Sequence, residues 1–488
     1  MTSNIATVNE FSDHLSPNRR RATIGIIAAT GFIIATNSAA IPPLLPLLGT
    51  QLSLTVGQTS WALTALLLAS GISALVIPRM ADLRGDRWAL ITLPVFTTAG
   101  CAMVAFANGA VMLILGAVLV GMGIPISVAA MNAYRRLLGE EHIGRAVSAA
   151  TVCVMVGSAV GGVIAGALAD KVGLPATFLT LTVVSICLVI TVFVVVPHMP
   201  PAEKGTVGIV SVILVAAWVV ALLFGLSQGP TWGWGEPNTW ITIGSAVVVA
   251  ALWAMREHRL ATPLVDFSVF RESAVTRAVV AGFLVGFPVT SLYVLLPMIT
   301  QMDPAVASWG LGRSALATAL IMAPYSLIGA VGAAICGRFV SRGYPLTVAA
   351  GGAILHLIAA VTLGFRHDSV AVLAAGAVIY GMGVGFVTAG LYGSIQRSVP
   401  PERAGMGAGV LALAQTIGGA AGPIVVSIVL ARETLPANPA VPAGGAVTHA
   451  FFVAATCEVV VIAVCASGIM REVRARRSQV LRAETLAV

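Results

Sequence analysis

Apolar residues fill this chain in blocks of roughly twenty or more, the length a helix needs to cross the hydrocarbon core of a bilayer. Polar residues are largely confined to the gaps. Fourteen blocks can be counted, at about 22–48, 59–78, 89–108, 111–134, 146–169, 176–197, 206–227, 239–255, 278–300, 313–336, 346–365, 370–394, 405–431 and 449–470. Alternation of apolar and polar residues at period two is absent from them, so a closed barrel is out. Helices are the other way to satisfy every backbone group in lipid. The pattern predicts an all-α polytopic membrane protein with fourteen transmembrane helices. The first block is too long for the apolar centre of a cleavable leader and more spans follow, so it reads as a retained first span.

The blocks also repeat. "GAVLVGMG" (Gly116 to Gly123) returns as "GAVIYGMG" (Gly376 to Gly383), 260 residues later. "EEHIGRAVSAATVCVMVGSAVGG" returns 261 residues later as "PERAGMGAGVLALAQTIGGAAGP", with Glu141, Gly144, Gly157, Ala159 and Gly161 matching Glu402, Gly405, Gly418, Ala420 and Gly422. Two consecutive matches at nearly one offset predict two six-span, pseudo-symmetric halves, about 1–200 and 277–488. The region 201–276 then holds two linking helices and a cytoplasmic loop. Parallel repeats of this kind place a substrate site between the halves, near the midplane.

Composition agrees with lipid as the main solvent. The 488 residues are 58% hydrophobic and 9% charged, with a mean hydropathy of +0.97, against about 25% charged for a soluble chain. The net charge of +8 does not point to nucleic acid, because the basic residues sit in loops of one side. With the N-terminus in the cytoplasm, 23 of the 27 Lys and Arg residues fall inside. Only Lys171, Arg313, Arg366 and Arg432 fall outside. That asymmetry predicts a plasma-membrane protein with both termini cytoplasmic.

Several chemistries have no residues to carry them. There is no GxSxG, HExxH or paired-carboxylate constellation, so an enzyme is not expected. The only lysines, in "ADKVG" and "AEKGT", lie outside any Gly-Lys-Ser/Thr loop, so no nucleotide partner is expected. The six cysteines, Cys101, Cys153, Cys187, Cys336, Cys457 and Cys465, have no disulfide or zinc spacing. No metal and no cofactor are expected. Energy must then come from an ion gradient or from the substrate's own gradient, and a monomer in the bilayer is expected.

The loop "PRMADLRGDRWAL" is similar to the pattern G-x-L-A-D-R-x-G-R-K/R-x-x-L, with Ala81, Asp82, Gly85, Arg87 and Leu90 fitting and Pro78, Leu83 and Asp86 departing. With "PLVDFSVFRESAVTR" and "GLSQGPTWGWGEP", the chain resembles the major facilitator superfamily, in its fourteen-span drug:proton antiporter branch. The resemblance implies an inner gate at Asp82 and Arg87, where a carboxylate can meet a neighbouring helix N-terminus or an arginine; a solvated loop charge is the plain alternative. In span 5, Gly157, Gly161, Gly162 and Gly166 allow close helix approach. The branch's Gly-Pro is Gly157-Ser158 here, while span 13 keeps Gly422-Pro423.

The stretch "ATNSAAIPPLLP" (Ala35 to Pro46) carries Thr36, Asn37 and Ser38 inside the first span. By the resemblance, Asn37 stands where the branch carries an Asp, and Ala117 where it carries an Arg linked to proton coupling. Asn offers donors and an acceptor but does not titrate near neutrality. The titratable candidates for proton coupling are Glu458, near the middle of span 14, and His356, in span 11. An ionised carboxylate at that depth is costly, so Glu458 is expected to be protonated, paired or facing water. A neutral side chain bonded to a nearby helix is the plain reading of each. Spans 1, 4, 9 and 12 line the cavity in this family. They supply Thr36, Asn37, Ser127, Asn132, Tyr293, Tyr380, Thr388 and Tyr392, and Gln415 of span 13 joins them. Interhelical hydrogen bonding is the bland alternative for each alone. Together they describe an apolar cavity with scattered polar groups, suited to lipophilic molecules.

Three functions remain open. The first is export of lipophilic or amphipathic small molecules against protons. The second is a weakly coupled or uncoupled facilitator or exporter of one metabolite or natural product. The third is a transporter-like membrane sensor or scaffold, which the short cytoplasmic stretches disfavour.

Overall fold

Among the described residues, helices carry the greater part of each apolar block. The structure, a computed structural model, describes residues 17–197, 208–260, 270, 272–398, 401–436 and 438–486. It does so without the side chains of 17–20, 75, 78, 79, 82, 127–129, 131, 132, 135–151, 209, 230, 401–406, 439, 440 and 471–486. The order is α1 (Pro17–Gln51), α2 (Val56–Arg84), α3 (Asp86–Ala105), α4 (Ala110–Gly123), α5 (Ile126–Val195), α6 (Ile209–Trp232) and α7 (Pro237–Glu257). Then follow α8 (Ser273–Gln301), α9 (Ala315–Ser341), α10 (Pro345–Phe365), α11 (Val370–Ser398), α12 (Pro401–Leu430), β1 (Thr434–Leu435), β2 (Asn438–Pro442) and α13 (Gly444–Leu486). Among the described residues, eleven helices are long and apolar enough to cross a membrane.

Three features differ from the blocks read along the sequence. The block at 111–134 is broken at Pro125, which has no N–H to donate and restrains Ile124, so α4 ends and α5 begins there. Helical hydrogen bonding then runs for 70 residues through α5. That run is not straight. A methyl group on Gly31 would lie 3.0 Å from Val154 Cγ2 and 4.0 Å from Ile126 Cγ2, whereas a straight helix would hold those two residues ~42 Å apart. The run therefore turns back between them. It turns again at Gly173, whose φ of +79° is open to glycine, because Gly161 packs on Thr36 while Ser185 bonds the adjacent Asn37. The third feature is a short antiparallel hairpin, β1 with β2, in a chain read as all-α. It occupies the proline-rich link before α13, and Trp309 Nε1 donates to Pro442 O over it at 3.1 Å.

The sequence repeat makes repeated contacts. Gly157 of α5 faces the Phe32 backbone of α1, and Gly418 of α12 faces that of Phe283 in α8. Gly161 meets the backbone of Thr36 and Gly422 meets Phe287 O and Thr290. Likewise Gly121 packs on Leu66 and Gly381 on Tyr325, while Gly123 packs on Thr97 and Gly383 on His356. Each glycine lets two backbones approach where a side chain would separate them.

Helices α1 to α5 pack mainly among themselves, as do α8 to α13, and the two groups meet along α5–α9, α2–α12 and α1–α8. The meeting is one-sided. Near Gln51, one apolar cluster runs through both groups, joining Leu44, Leu48 and Leu63 to Leu295, Ile299 and Val426. Toward the Pro17 end of α1, the apolar core divides. Ile27, Ile77, Leu90 and Tyr134 form one cluster, and Val275, Val387, Ile395 and Leu411 form another. The groups are sealed together at the Gln51 face and hold separate cores at the other.

Candidate functional site

Where the shared core gives way to the divided one, a cavity of about 270 Å³ lies between the two groups. Ile34, Ala35, Ser38, Pro42 and Pro43 of α1 line one side, with Leu63 and Leu66 of α2 and Ser158 and Gly162 of α5. Tyr293 of α8 and Met322, Tyr325 and Ser326 of α9 face them. The polar groups are few. Ser38 Oγ is bonded to its own helix at Ile34 O. Ser158 and Ser326 face each other across the seam at 3.5 Å. Tyr293 and Tyr325 meet edge to face, with ring centres 5.7 Å apart. An apolar enclosure with a few hydroxyls binds apolar bodies that carry one or two hydrogen-bonding groups.

The residues proposed from the sequence fall in several places. Tyr293 lines the cavity. Thr36 and Asn37 do not; they are buried inside the first group, where Thr36 Oγ1 donates to Gly157 O at 3.1 Å and Asn37 Nδ2 donates to Ser185 Oγ at 2.7 Å. Thr388 is half-buried on α11, away from the cavity lining. Tyr392 Oη donates to Gln415 Oε1 at 3.3 Å, joining α11 to α12. Tyr380 is buried one layer behind the cavity, against Tyr325. Gly157, Gly161 and Gly422 stand at the helix contacts above, Gly162 faces Ala39 O, and Pro423 O accepts from Ser427 within α12. The side chains of Ser127, Asn132 and Asp82 lie outside the described residues. Arg87 donates to Phe193 O at 2.8 Å and covers the Phe193 ring, so it is held within its own group.

His356 and Glu458, nominated separately, are brought together. His356 Nδ1 lies 2.8 Å from Glu458 Oε1, and both side chains are fully buried. His356 Nε2 lies 3.1 Å from Tyr380 O, and the His356 and Tyr380 rings stack at 4.3 Å.

Sequence reasoning missed Tyr325, Ser158 and Ser326 as cavity residues, and it missed Asp170. Asp170 Oδ1 accepts from Ala315 N at 3.2 Å and Oδ2 from Leu316 N at 3.1 Å. A carboxylate on α5, just before its turn at Gly173, thus caps the first turn of α9 across the seam, where helix N–H groups have no partner of their own. Gln301 Nε2 adds a bond to Pro43 O at 2.6 Å on the same face. An acid beside the outer end of span 5, ahead of a span that starts with Ser314, was the available signal. Asp170→Asn loses one of the two acceptor oxygens and the charge. A cysteine introduced at Ala319 should then react about two- to fivefold faster with an impermeant thiol reagent applied from the Gln51 face. An unchanged rate would remove Asp170 from the closure of that face.

Comparison with known proteins places the chain in a family. Residues 27–423 match the model of the Major Facilitator Superfamily. The chain is 26% identical over 420 residues to the multidrug resistance protein Stp of Mycobacterium tuberculosis, covering 84% of this chain and 76% of that one. It is 22% identical over 422 residues to the tetracenomycin C resistance and export protein of Streptomyces glaucescens, covering 84% and 76%. Among solved structures, the nucleoside transporter NupG superimposes with a TM-score of 0.64 at 13% identity, over 91% of this chain and 98% of that one. A bacterial homologue of the human lysosomal transporter Spinster, inward-facing and unoccupied, superimposes with a TM-score of 0.63 at 15% identity, over 93% and 96%. The molecule is a multi-pass membrane transporter rather than an enzyme, and it belongs to the Major Facilitator Superfamily.

Proposed function

We propose that this transporter exports lipophilic and amphipathic small molecules, drugs among them, by alternating access driven by protons, as a member of the fourteen-span antiporter branch. The observation that carries the reading is the apolar cavity at the seam of the two helix groups, sealed toward Gln51 and flanked by separate cores on the other side. Alternating access requires such a seam, because substrate leaves one face only after the other has closed. Relatives named for multidrug resistance and for tetracenomycin C export support the substrate class.

In this reading the chain crosses the plasma membrane fourteen times, with the two turns of α5 supplying crossings that hydropathy alone separates. The halves are 1–200 and 277–488, and α6 and α7 link them. The excess of Lys and Arg on the Pro17 side puts both termini in the cytoplasm, so the sealed face is outer and the conformation is inward-facing. The protein acts as a monomer on a small-molecule substrate and protons. Asp82 and Arg87 close the inner gate in the opposite conformation. The proton carriers are Glu458 and His356.

The second reading, a weakly coupled or uncoupled facilitator or exporter of one metabolite or natural product, draws on Asn37, which by the resemblance stands in the place of the branch's first-span acid and is bonded to Ser185 instead of facing the cavity. A buried carboxyl paired with an imidazole elsewhere favours proton coupling over it.

Ser326→Trp tests the cavity. The indole fills the space between Ser158 and Tyr325, so flux of lipophilic dyes through reconstituted protein should fall at least about tenfold while thermal stability holds. Undiminished flux would mean that substrates take another route.

A further inference from the structure

The hydrogen bonds of His356 fix how many protons its site holds. Tyr380 O can only accept, so Nε2 of His356 carries a hydrogen toward it at 3.1 Å. A neutral imidazole protonated at Nε2 has a lone pair at Nδ1, and a carboxylate presents lone pairs only. Their 2.8 Å contact therefore requires one further proton, on Glu458 Oε1 or on Nδ1. Loss of that proton to water leaves an anionic Glu458 facing the Nδ1 lone pair of a neutral imidazole. The bond between α10 and α13 then becomes a repulsion.

We infer that His356 and Glu458 form a single one-proton site that stands behind the substrate cavity, with Tyr380 linking the two. The inference rests on the transporter reading above and refines it: proton and substrate occupy separate places and do not displace each other directly.

Helix packing alone does not call for the pair. In the first group, Gly123 packs on Thr97 and Leu93 O; at the repeated position Gly383 packs on His356 and Gly352 O. A threonine bonded to its own helix suffices in one copy of the contact, while the other carries two titratable groups. The pair also retains unused polar atoms. Glu458 Oε2 and Tyr380 Oη are buried without a hydrogen-bond partner. Around the pair, Tyr380 of α11 stacks on His356, and Cys457 and Cys465 lie on α13 with Glu458. From α8, Arg277 meets α13 at Gly468, ~15 Å along the helix from Glu458.

Tyr380 connects the site to the cavity by direct contact on both sides. Its ring stacks on His356 with ring centres 4.3 Å apart, and its ring centre lies 6.4 Å from that of Tyr325, which lines the cavity. Gly381 and Gly383 press α11 onto α9 and α10 at the same level. A molecule seated against Tyr325 moves the partner of His356 without touching the carboxyl.

The test is infrared difference titration of the full-length protein in lipid nanodiscs, which needs no substrate and no transport. Carboxyl and imidazole bands should titrate together at one midpoint. Both should leave the titration in Glu458→Gln, and the carboxyl midpoint should move by about one pH unit or more in His356→Gln. Ser326→Trp, which fills the cavity, should move the shared midpoint, and Tyr380→Leu should abolish that movement while the bands still titrate together. Separate midpoints, or an imidazole that titrates unchanged in Glu458→Gln, would overturn the one-proton site. An equal effect of Ser326→Trp with and without Tyr380 would overturn the link. A failure of drug export with these spectra intact would count against the export reading alone.

Discussion

Glu458→Gln should fold normally and lose proton-driven transport. The side-chain amide keeps the shape of the acid, and its N–H can donate to His356 Nδ1 as a protonated carboxyl would. The variant is therefore fixed in the equivalent of the protonated state. Uphill movement of substrate under an imposed pH gradient should fall at least about tenfold, while exchange of substrate down its own gradient persists. A flux assay with and without the gradient separates the two. Removing the other partner differs in kind. His356→Leu leaves Glu458 buried with neither oxygen bonded, a loss of about 1–3 kcal/mol for an unsatisfied polar group, and should lower the melting temperature as well as the coupling. If Glu458→Gln retains full gradient-driven flux, the carrier lies elsewhere.

Gly161→Leu should prevent correct assembly of the first helix group. A Cβ at Gly161 would fall on the backbone of Thr36, 2.5 Å from its carbonyl oxygen and 2.8 Å from its carbonyl carbon. Backbone cannot rotate aside as a side chain can, so α1 and α5 must separate. The separation also breaks the bonds from Thr36 to Gly157 and from Asn37 to Ser185. The cost should exceed about 3 kcal/mol, the upper range of ordinary overpacking. Gly422→Leu should do the same in the second group, where Phe287 O lies 2.5 Å away. Gly162→Ala is the contrast, since its Cβ would lie 3.4 Å from Ala39 O and 3.8 Å from Pro43 Cγ, and it should be tolerated. Size-exclusion profiles after graded heating measure all three. A Gly161→Leu protein as stable as the parent would mean that the α1–α5 contact is looser than described.

Much of this architecture is legible in the sequence. The length of the apolar blocks marked the helices because lipid permits few other structures. The spaced glycines of the repeat foretold close helix contacts, since a bare Cα has few other uses inside a membrane span. Pro125 separates α4 from α5 while the prolines at 42, 43 and 46 leave α1 continuous, so proline alone does not mark where a membrane helix ends. Helix orientation was the harder problem. When one face meets lipid and the other a protein core, both are apolar, and the stripe that would mark the inward face of a soluble helix is missing. Hence Tyr325, Ser158 and Ser326 do not stand out as cavity residues, while Asn37, polar inside an apolar span, suggests a cavity in the sequence and is bonded to Ser185 in the structure. His356 and Glu458 stood out singly as titratable groups in apolar runs. Their pairing spans 102 residues and depends on how α10 lies against α13, which no local pattern records. Asp170 was hidden for the same reason, its partners being backbone N–H groups on a helix 145 residues away.

The measurement that bears most directly on the account is transport by the purified protein in liposomes that hold a pH dye and an acid interior. A panel of lipophilic cations and neutral drugs is added outside. Proton-coupled export predicts alkalinisation of the interior that needs both protein and substrate and that vanishes in Glu458→Gln. Labelled substrates that cross while the dye stays silent would contradict proton coupling and leave a facilitator in its place.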